Sequence, residues 1–251
     1  MTEMKGEHNS PQDVWDRYLP KWNQWLESLN HLKNVNVKRC YRPPDFGVVK
    51  GKEIHIFSDA SNLAIGAVAY LRQVNEHNQP YVSFLLAKAK VTPTHAVFIP
   101  RLELCAAVLA TTLVRTICSE LGSRIILDST TFYTDSKVVL GYISNESKRF
   151  HTYVANRVNK IHDTLLKPHQ GHHVPTDENP ANIASRSVPA SHLNATIWFK
   201  GPTFLWQKNY LSESREKPHP NPQYLLFESD PELRTRQRKF YKLISYSHNE
   251  V

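Results

Sequence analysis

The sequence predicts an α/β fold in which helices flank a five-stranded mixed sheet. The first observation is a run of three strand-like segments joined by two short polar connections, a pattern typical of an antiparallel meander. The second is an alternation of amphipathic helices and short strands after this meander, which predicts two βα units. The third is a hydrophobic fraction of 40%, which is enough to form a packed core.

The strands are predicted from apolar and polar residues that alternate along the chain. Residues 53–59 (EIHIFSD) alternate as a half-buried strand does. A second strand at 65–74 and a third at 81–89 follow, separated by the polar turn NEHNQP. Two shorter strands are predicted further along the chain, at 130–134 (TTFYT) and at 172–174.

The helices are predicted from apolar residues that recur three and four positions apart. The strongest pattern covers residues 101–121, with a proline before it and a glycine after it. Three further helices are expected at 136–144, where a serine is the N-cap, at 149–166, and at 180–186, where a proline stands in the first turn. These helices alternate with the last two strands, as βα units require.

The chain divides into three predicted regions: a helical lead-in at 1–50, the α/β domain at 51–190, and an irregular basic C-terminal extension at 191–251. In the lead-in, Trp22, Trp25 and Leu29 recur at helical spacing. After Trp206 the regular patterns fade, and the segment 234–242 (RTRQRKFYK) is dominated by Lys and Arg. That segment is either a basic helix or a solvated tail, and the tail is the preferred interpretation.

Composition and charge exclude several classes of protein. The chain has 31 Lys and Arg against 23 Asp and Glu, and its formal net charge of +8 weakly favours a polyanionic partner. Three scattered cysteines, Cys40, Cys105 and Cys118, exclude a disulfide scaffold and a cysteine-rich zinc module. No apolar run approaches the roughly 20 residues of a membrane span, and no signal peptide is evident. We therefore expect an intracellular protein, cytoplasmic or nuclear, that does not bind membranes.

Three acidic residues stand at positions where acids are costly. Asp59 and Asp135 end predicted strands directly after apolar residues, and Glu103 lies near the start of the long helix on an apolar face. Ligands of layered α/β folds collect at the carboxyl ends of strands, so we expect the three side chains to converge there. Clustered carboxylates repel one another unless a cation intervenes, and Mg²⁺ prefers such oxygen ligands. Helix caps or ion pairs are the weaker alternative for three acids in this arrangement.

Several short motifs in the sequence carry a resemblance to a known domain. SDAS at 58–61 followed by IGA at 65–67 is similar to the first strand pair of the ribonuclease H domain of retroelement polyproteins. PRLEL at 100–104 and YTDSKVVLG at 133–141 are typical of the BEL/Pao retrotransposon lineage, a family sometimes labelled Pao retrotransposon peptidase. Further matches are RF at 149–150, VANRV at 154–158, NPA at 179–181 and ASR at 184–186. The resemblance extends over most of the chain, from the lead-in to the region of Trp206.

The resemblance implies a function and four site positions. Ribonucleases H hold two Mg²⁺ ions, or Mn²⁺ as a substitute, with four acidic residues, and they hydrolyse the RNA strand of an RNA–DNA hybrid. Asp59, Glu103 and Asp135 match the first three positions and are expected to be catalytic and metal-binding. The fourth position is Asn182, whose amide oxygen can contact a metal but carries no charge. Two functions therefore remain open, a hybrid-cleaving endonuclease and a catalytically impaired remnant that binds nucleic acid.

Four further residues are predicted to contact nucleic acid. Ser61 and Ser136 follow the strand-end aspartates, and Lys137 and Arg157 place positive charge on the helices after the fourth strand. The alternatives are a turn hydroxyl for Ser61, a helix cap for Ser136 and an ordinary solvated face for the two cations. An aspartic peptidase is rejected because the sequence contains no Asp-Thr/Ser-Gly triplet.

Overall fold

A five-stranded mixed sheet forms the centre of the computed structural model, which describes residues 11–92, 98–121, 125–145, 149–163, 171–208 and 230–234. The strands are β1 (Val49–Ala60), β2 (Ala64–Asn75), β3 (Pro80–Val91), β4 (Ser129–Thr134) and β5 (Gly171–His173). Their order in the sheet is β3-β2-β1-β4-β5. The first three strands pair antiparallel, whereas β4 is parallel to both β1 and β5. The predicted meander followed by two βα units is thereby confirmed.

Five α-helices accompany the sheet within the described ranges. They are α1 (Pro11–Ser28), α2 (Ile99–Leu121), α3 (Lys137–Ser144), α4 (Thr152–His162) and α5 (Ala181–Arg186). Short 3₁₀ turns are present at Leu29–Asn34, Thr176–Glu178, Ala190–Ala195 and Thr203–Trp206. The helix predicted at 149–166 begins only at Thr152, and its last predicted residues, from 164 onward, lie outside the described residues.

One face of the sheet packs against α2, α3 and α4. Ile54 and Ile56 alternate along β1, and both are fully buried in one cluster with Leu113 of α2 and Val154 of α4. Side chains alternate across a strand, so the even positions of this part of β1 reach the helices. Each such fully buried aliphatic side chain contributes about 1.5–3 kcal/mol through its removal from water. The alternation seen in the sequence thus positions the main core.

Helix α2 is the central helix of this core. By length and composition it is the only described helix that could cross a membrane, although no membrane span is predicted from the sequence. Within the domain, 56% of that apolar stretch is buried. The core packing of α2 therefore accounts for its apolar character.

The opposite face of the sheet is covered by α5 and by residues 196–207, which lie beyond the predicted domain boundary at residue 190. Leu205 is fully buried in a cluster with Phe57 and Tyr70 of the sheet. The Tyr70 hydroxyl donates to the carbonyl of Trp198 at 2.7 Å, and this contact ties the segment to β2. The core consequently continues through the first part of the region that the sequence predicts as an irregular extension.

A second part of that extension, residues 230–234, also contacts the domain. Leu233 forms a β-bridge with Phe150, and Glu232 is buried with both of its carboxylate oxygens accepting from Arg101. The Tyr142 hydroxyl donates to Asp230. Residues 230–234 are thus docked and not a solvated tail. Of the basic segment predicted at 234–242, only Arg234 lies within the described residues.

The lead-in contains the predicted helix, but its apolar residues are exposed. Helix α1 has no buried side chain, and Trp22 and Trp25 are 52% and 49% exposed. The helix ends at Ser28, and the pattern that predicted it continues into the following 3₁₀ turn. After this turn the chain contacts the edge strand of the sheet, where the Ser83 hydroxyl donates to the carbonyl of Tyr41 at 2.6 Å.

Candidate metal centre

Asp59 and Asp135 lie beside each other because β1 and β4 are parallel neighbours. Ser58 of β1 is paired with Thr134 of β4, so the residues that follow them reach the same edge of the sheet. Asp59 still belongs to β1 and is 1% exposed, whereas Asp135 directly follows β4 and is half-buried. The two strand ends therefore meet as the sequence predicts.

Glu103 reaches the same place from α2. Leu102 and Ala106 pack with Ala60, which lays the first turns of α2 over the end of β1. Glu103 is 8% exposed, and one carboxylate oxygen from each of Asp59, Glu103 and Asp135 lies within 4.8 Å of the other two. The structure thus brings together the three acids that were expected to converge.

The three carboxylates repel one another in this arrangement. Burial raises the pKa of Glu103 to about 8, and the negative charges of Asp59 and Asp135 act in the same direction. Burial also raises the pKa of Asp59, and the charge of Asp135 adds to this effect while a hydrogen bond from Ser185 opposes it. A cation bound among the three oxygens would relieve this repulsion.

Four buried oxygen atoms at these positions have no hydrogen-bond partner among the described residues. They are Asp59 Oδ1, Glu103 Oε2, Asp135 Oδ1 and Asn182 Oδ1, one from each of the four expected site positions. Buried polar atoms are normally paired, so unpaired atoms at a single site require an explanation. Hard divalent cations such as Mg²⁺ and Mn²⁺ prefer oxygen ligands of this kind. The residues present therefore fit such an ion.

The side chain of Asn182 forms a hydrogen bond that the sequence did not indicate. Its side-chain nitrogen donates to the backbone carbonyl of Thr176, and the Thr176 hydroxyl donates to Asp135 Oδ2 at 2.9 Å. Because the amide nitrogen forms this bond, the amide oxygen is the atom that has no hydrogen-bond partner among the described residues. A carboxylate at position 182 would instead place two acceptors against each other at the Thr176 carbonyl.

Two further residues that contact Asp59 were not predicted from the sequence. The Ser185 hydroxyl donates to Asp59 Oδ2, and the Arg186 guanidinium lies 3.9 Å from the same oxygen. Both residues belong to α5. This helix can approach β2 closely because Gly66 has no Cβ; a Cβ there would lie 2.6 Å from the Cβ of Ala184. Ser185 and Arg186 are part of a motif that carries the family resemblance, so the sequence did contain a signal for them.

The four residues predicted to contact nucleic acid have different surroundings. The Ser61 hydroxyl accepts from the backbone N–H of Leu63 at 3.0 Å and donates to the carbonyl of Ser185 at 2.7 Å, as a turn hydroxyl does. Ser136 caps α3, and Lys137 is exposed at the start of that helix. A nucleic-acid contact stays a prediction for these three residues.

Arg157, the fourth of these residues, packs within the protein. Its guanidinium lies 3.5 Å from the centroid of the Tyr153 ring, and its Nε donates to Cys105 Sγ at 3.3 Å. Arg101 lies on the same ring at 4.6 Å from the centroid. These contacts hold the Arg157 guanidinium against α2 and α4, and a phosphate contact through it also stays a prediction.

The amino-acid sequence matches the family model described as the Pao retrotransposon-like RNaseH-like domain over residues 4–136, more than half of the chain. The matched region includes Asp59, Glu103 and Asp135 and ends before Asn182. No curated protein matches the chain.

Several solved structures are similar to this chain at low sequence identity. The N-terminal RNase H domain of rv2228c from Mycobacterium tuberculosis, solved as a fusion with maltose binding protein, is 14% identical. That match covers 58% of this chain and 100% of that chain with a TM-score of 0.37. RNase H1 from Halobacterium salinarum NRC-1 is 11% identical, with coverages of 59% and 100% and a TM-score of 0.33. LC11-RNase H1 in complex with an RNA/DNA hybrid is 13% identical, with coverages of 57% and 99% and a TM-score of 0.36.

Proposed function

The chain belongs to the Pao retrotransposon-like RNaseH-like domain family, and from this premise we propose that it is a metal-dependent endonuclease acting on RNA–DNA hybrids. The family match and the strand order confirm the predicted ribonuclease H-like α/β fold. The observation that carries the proposal is the convergence of Asp59, Glu103 and Asp135 within 4.8 Å at the end of β1. The reaction proposed is hydrolysis of the RNA strand of the hybrid.

The residues proposed to hold the metal are Asp59, Glu103 and Asp135, with the amide oxygen of Asn182 as a neutral fourth ligand. Their unpaired oxygens support this assignment. Two Mg²⁺ ions, or Mn²⁺ in their place, would supply activation of the attacking water and stabilisation of the leaving oxygen. Three charged ligands in place of four should weaken the affinity for the ions relative to an all-acid set.

The basic residues near the site would bind the nucleic-acid backbone. Lys137 is exposed two residues after Asp135, and Arg186 is 56% exposed beside Asp59. Both can reach a phosphate while the carboxylates stay buried, and the net charge of +8 favours the approach of a polyanion. An intracellular location, cytoplasmic or nuclear, belongs to the same proposal.

A second candidate function is a remnant that binds nucleic acid without cleaving it. The observation in its favour is Asn182, because the loss of one negative charge at the fourth position weakens metal binding. Its hydrogen bond to Thr176 is compatible with either candidate.

A cleavage assay on a labelled RNA–DNA hybrid distinguishes the two candidates. We expect the natural chain to cut the RNA strand with Mg²⁺ or Mn²⁺, and Asp135→Asn to cut at least 100-fold more slowly because it removes a metal ligand. Asp163→Asn is the matched control, because Asp163 is an exposed acid at the end of α4. If the natural chain is as slow as Asp135→Asn while Asn182→Asp cuts, the endonuclease proposal is wrong and the remnant is supported.

A further inference from the structure

The two aspartates of the candidate metal centre share one pattern of contacts. In each of them Oδ2 accepts a hydrogen bond from a hydroxyl group, Ser185 for Asp59 and Thr176 for Asp135. In each of them Oδ1 is buried and has no hydrogen-bond partner among the described residues. One oxygen of each carboxylate is therefore held by the protein, and the other is left for a ligand.

Both hydroxyl groups come from the same short stretch of chain, residues 176–186. Asn179 is 2% exposed and donates to the carbonyl of Ser58 at 3.0 Å, which attaches this stretch to β1 beside Asp59. The Ser185 carbonyl accepts from Ser61, and this bond ties α5 to the turn after β1. The two hydroxyl donors consequently keep a defined position relative to the carboxylates.

We propose that Thr176 and Ser185 are positioning residues, which orient Asp135 and Asp59 so that one oxygen of each is directed to the metal. The inference rests on the proposed function, because it assigns a role toward the same ion. The terminal torsion of a carboxylate has broad minima, so a hydrogen bond to one oxygen selects its orientation. Partners that orient metal ligands in this way typically change metal affinity by about 10–100-fold.

Thr176 offers a test that leaves the fold intact, because its side chain is exposed. Thr176→Val removes the hydroxyl and keeps the branched shape, whereas Thr176→Ser keeps the hydroxyl. The probe is Mn²⁺ alone, with the free ion measured by electron paramagnetic resonance and the melting temperature measured in EDTA. We expect Thr176→Val to weaken Mn²⁺ binding about 10-fold with an unchanged melting temperature, and Thr176→Ser to stay within about twofold of the natural chain.

Ser185→Ala is the corresponding variant for Asp59, and Thr112→Val on the exposed side of α2 is the control for losing a hydroxyl far from the centre. Because Ser185 is buried, its variant is interpreted only if its melting temperature matches that of the natural chain. The Thr176 pair decides the role of Thr176 in either case.

The outcomes separate the inference from the function on which it rests. If the natural chain binds no Mn²⁺, the metal-dependent function and the positioning role are both overturned. If the natural chain binds Mn²⁺ and Thr176→Val binds it equally tightly, only the positioning role is overturned. Weaker binding by Thr176→Val and Thr176→Ser alike would also contradict it, because the hydroxyl would then not be the cause.

Discussion

Strand β1 carries a buried charged cluster near each end, and the two clusters are built in opposite ways. Near its start, Glu53 accepts from Arg72 at 3.0 Å and lies 3.3 Å from the ring nitrogen Nε2 of His55. Near its other end, Asp59 lies with Glu103 and Asp135, and the nearest described cation is Arg186 at 3.9 Å. The first cluster pairs opposite charges, whereas the second collects like charges.

The pKa values of the two glutamates shift in opposite directions. Burial acts to raise the pKa of Glu53, but its hydrogen bonds and electrostatic interactions with His55 and Arg72 outweigh this effect, so the pKa is lowered. Burial and the charges of Asp59 and Asp135 raise the pKa of Glu103 to about 8. The comparison indicates that the cluster at the start of β1 stabilises the fold. The cluster at its end lowers stability and keeps carboxylate oxygens available for a ligand.

Replacing Arg72 should have the largest effect on stability. Besides Glu53, Arg72 donates to the carbonyls of Leu205 at 2.8 Å and Gln207 at 2.9 Å, so it also holds the segment on the second face of the sheet. We expect Arg72→Met to lower the free energy of unfolding by about 3–5 kcal/mol, because it leaves the half-buried carboxylate of Glu53 without its cation. Urea denaturation measures this change. Arg186→Met, at the partly exposed arginine of the other cluster, should cost less than about 1 kcal/mol. Equal losses in the two variants would contradict the comparison.

Replacing glutamate by glutamine should change the free energy of unfolding with opposite signs in the two clusters of β1. Glu53→Gln removes the charge that pairs with Arg72, and we expect it to lower the free energy of unfolding by about 1–3 kcal/mol. Glu103→Gln removes a carboxyl group that ionises less readily in the folded than in the unfolded chain, and in EDTA at neutral pH we expect it to raise stability by about 1 kcal/mol. Thermal unfolding in EDTA checks both signs.

Adding Mn²⁺ completes this test. Mn²⁺ should raise the melting temperature of the natural chain and of Glu53→Gln, and it should raise that of Glu103→Gln much less, since a ligand is missing. Destabilisation by Glu103→Gln in EDTA would show that this carboxylate is favourably paired, contrary to the comparison.

Acidification should lower the free energy of unfolding through His55, in the cluster at the start of β1. We expect this change to be smaller than those caused by the substitutions above. Burial lowers the pKa of His55 below 6.5, and the charge of Arg72 acts in the same direction while Glu53 opposes it. Tyr133, whose hydroxyl lies 3.1 Å from His55 Nδ1, also faces this ring. The unfolded chain therefore binds a proton at His55 first as the pH falls. The associated stability is present above pH 6.5 and is lost as the pH falls toward the folded-state pKa.

Urea midpoints at pH 7.5 and 5.5 in EDTA check this expectation against a matched variant. As the pH falls, the free energy of unfolding of the natural chain should decrease by up to about 1.4 kcal/mol per pH unit more than that of His55→Gln, which has no imidazole to protonate. An equal pH dependence in the two proteins would mean that His55 is protonated as readily in the folded as in the unfolded state.

The parts of the fold that follow from local patterns could be predicted from the sequence. Ile54 and Ile56 alternate with polar neighbours, and this alternation placed β1 and its core face. The packing of Leu205 under the sheet and the pairing of Glu232 with Arg101 could not be predicted, because they join residues more than 100 positions apart. No periodicity in the intervening chain indicates such contacts.

The sequence by itself indicated that Asp59 and Asp135 end strands, at the side of the sheet where ligands of layered α/β folds collect. The structure showed that these two strands are parallel neighbours. The sequence also determined that the fourth position carries an amide in place of an acid. Only the tertiary structure decided which side-chain oxygens of the centre have no hydrogen-bond partner among the described residues. Ser185 and Asp59 are 126 positions apart, and the bond between them exists only once α5 has packed on β2. The orientation of a carboxylate depends on such distant partners, since its own torsion has no strong preference.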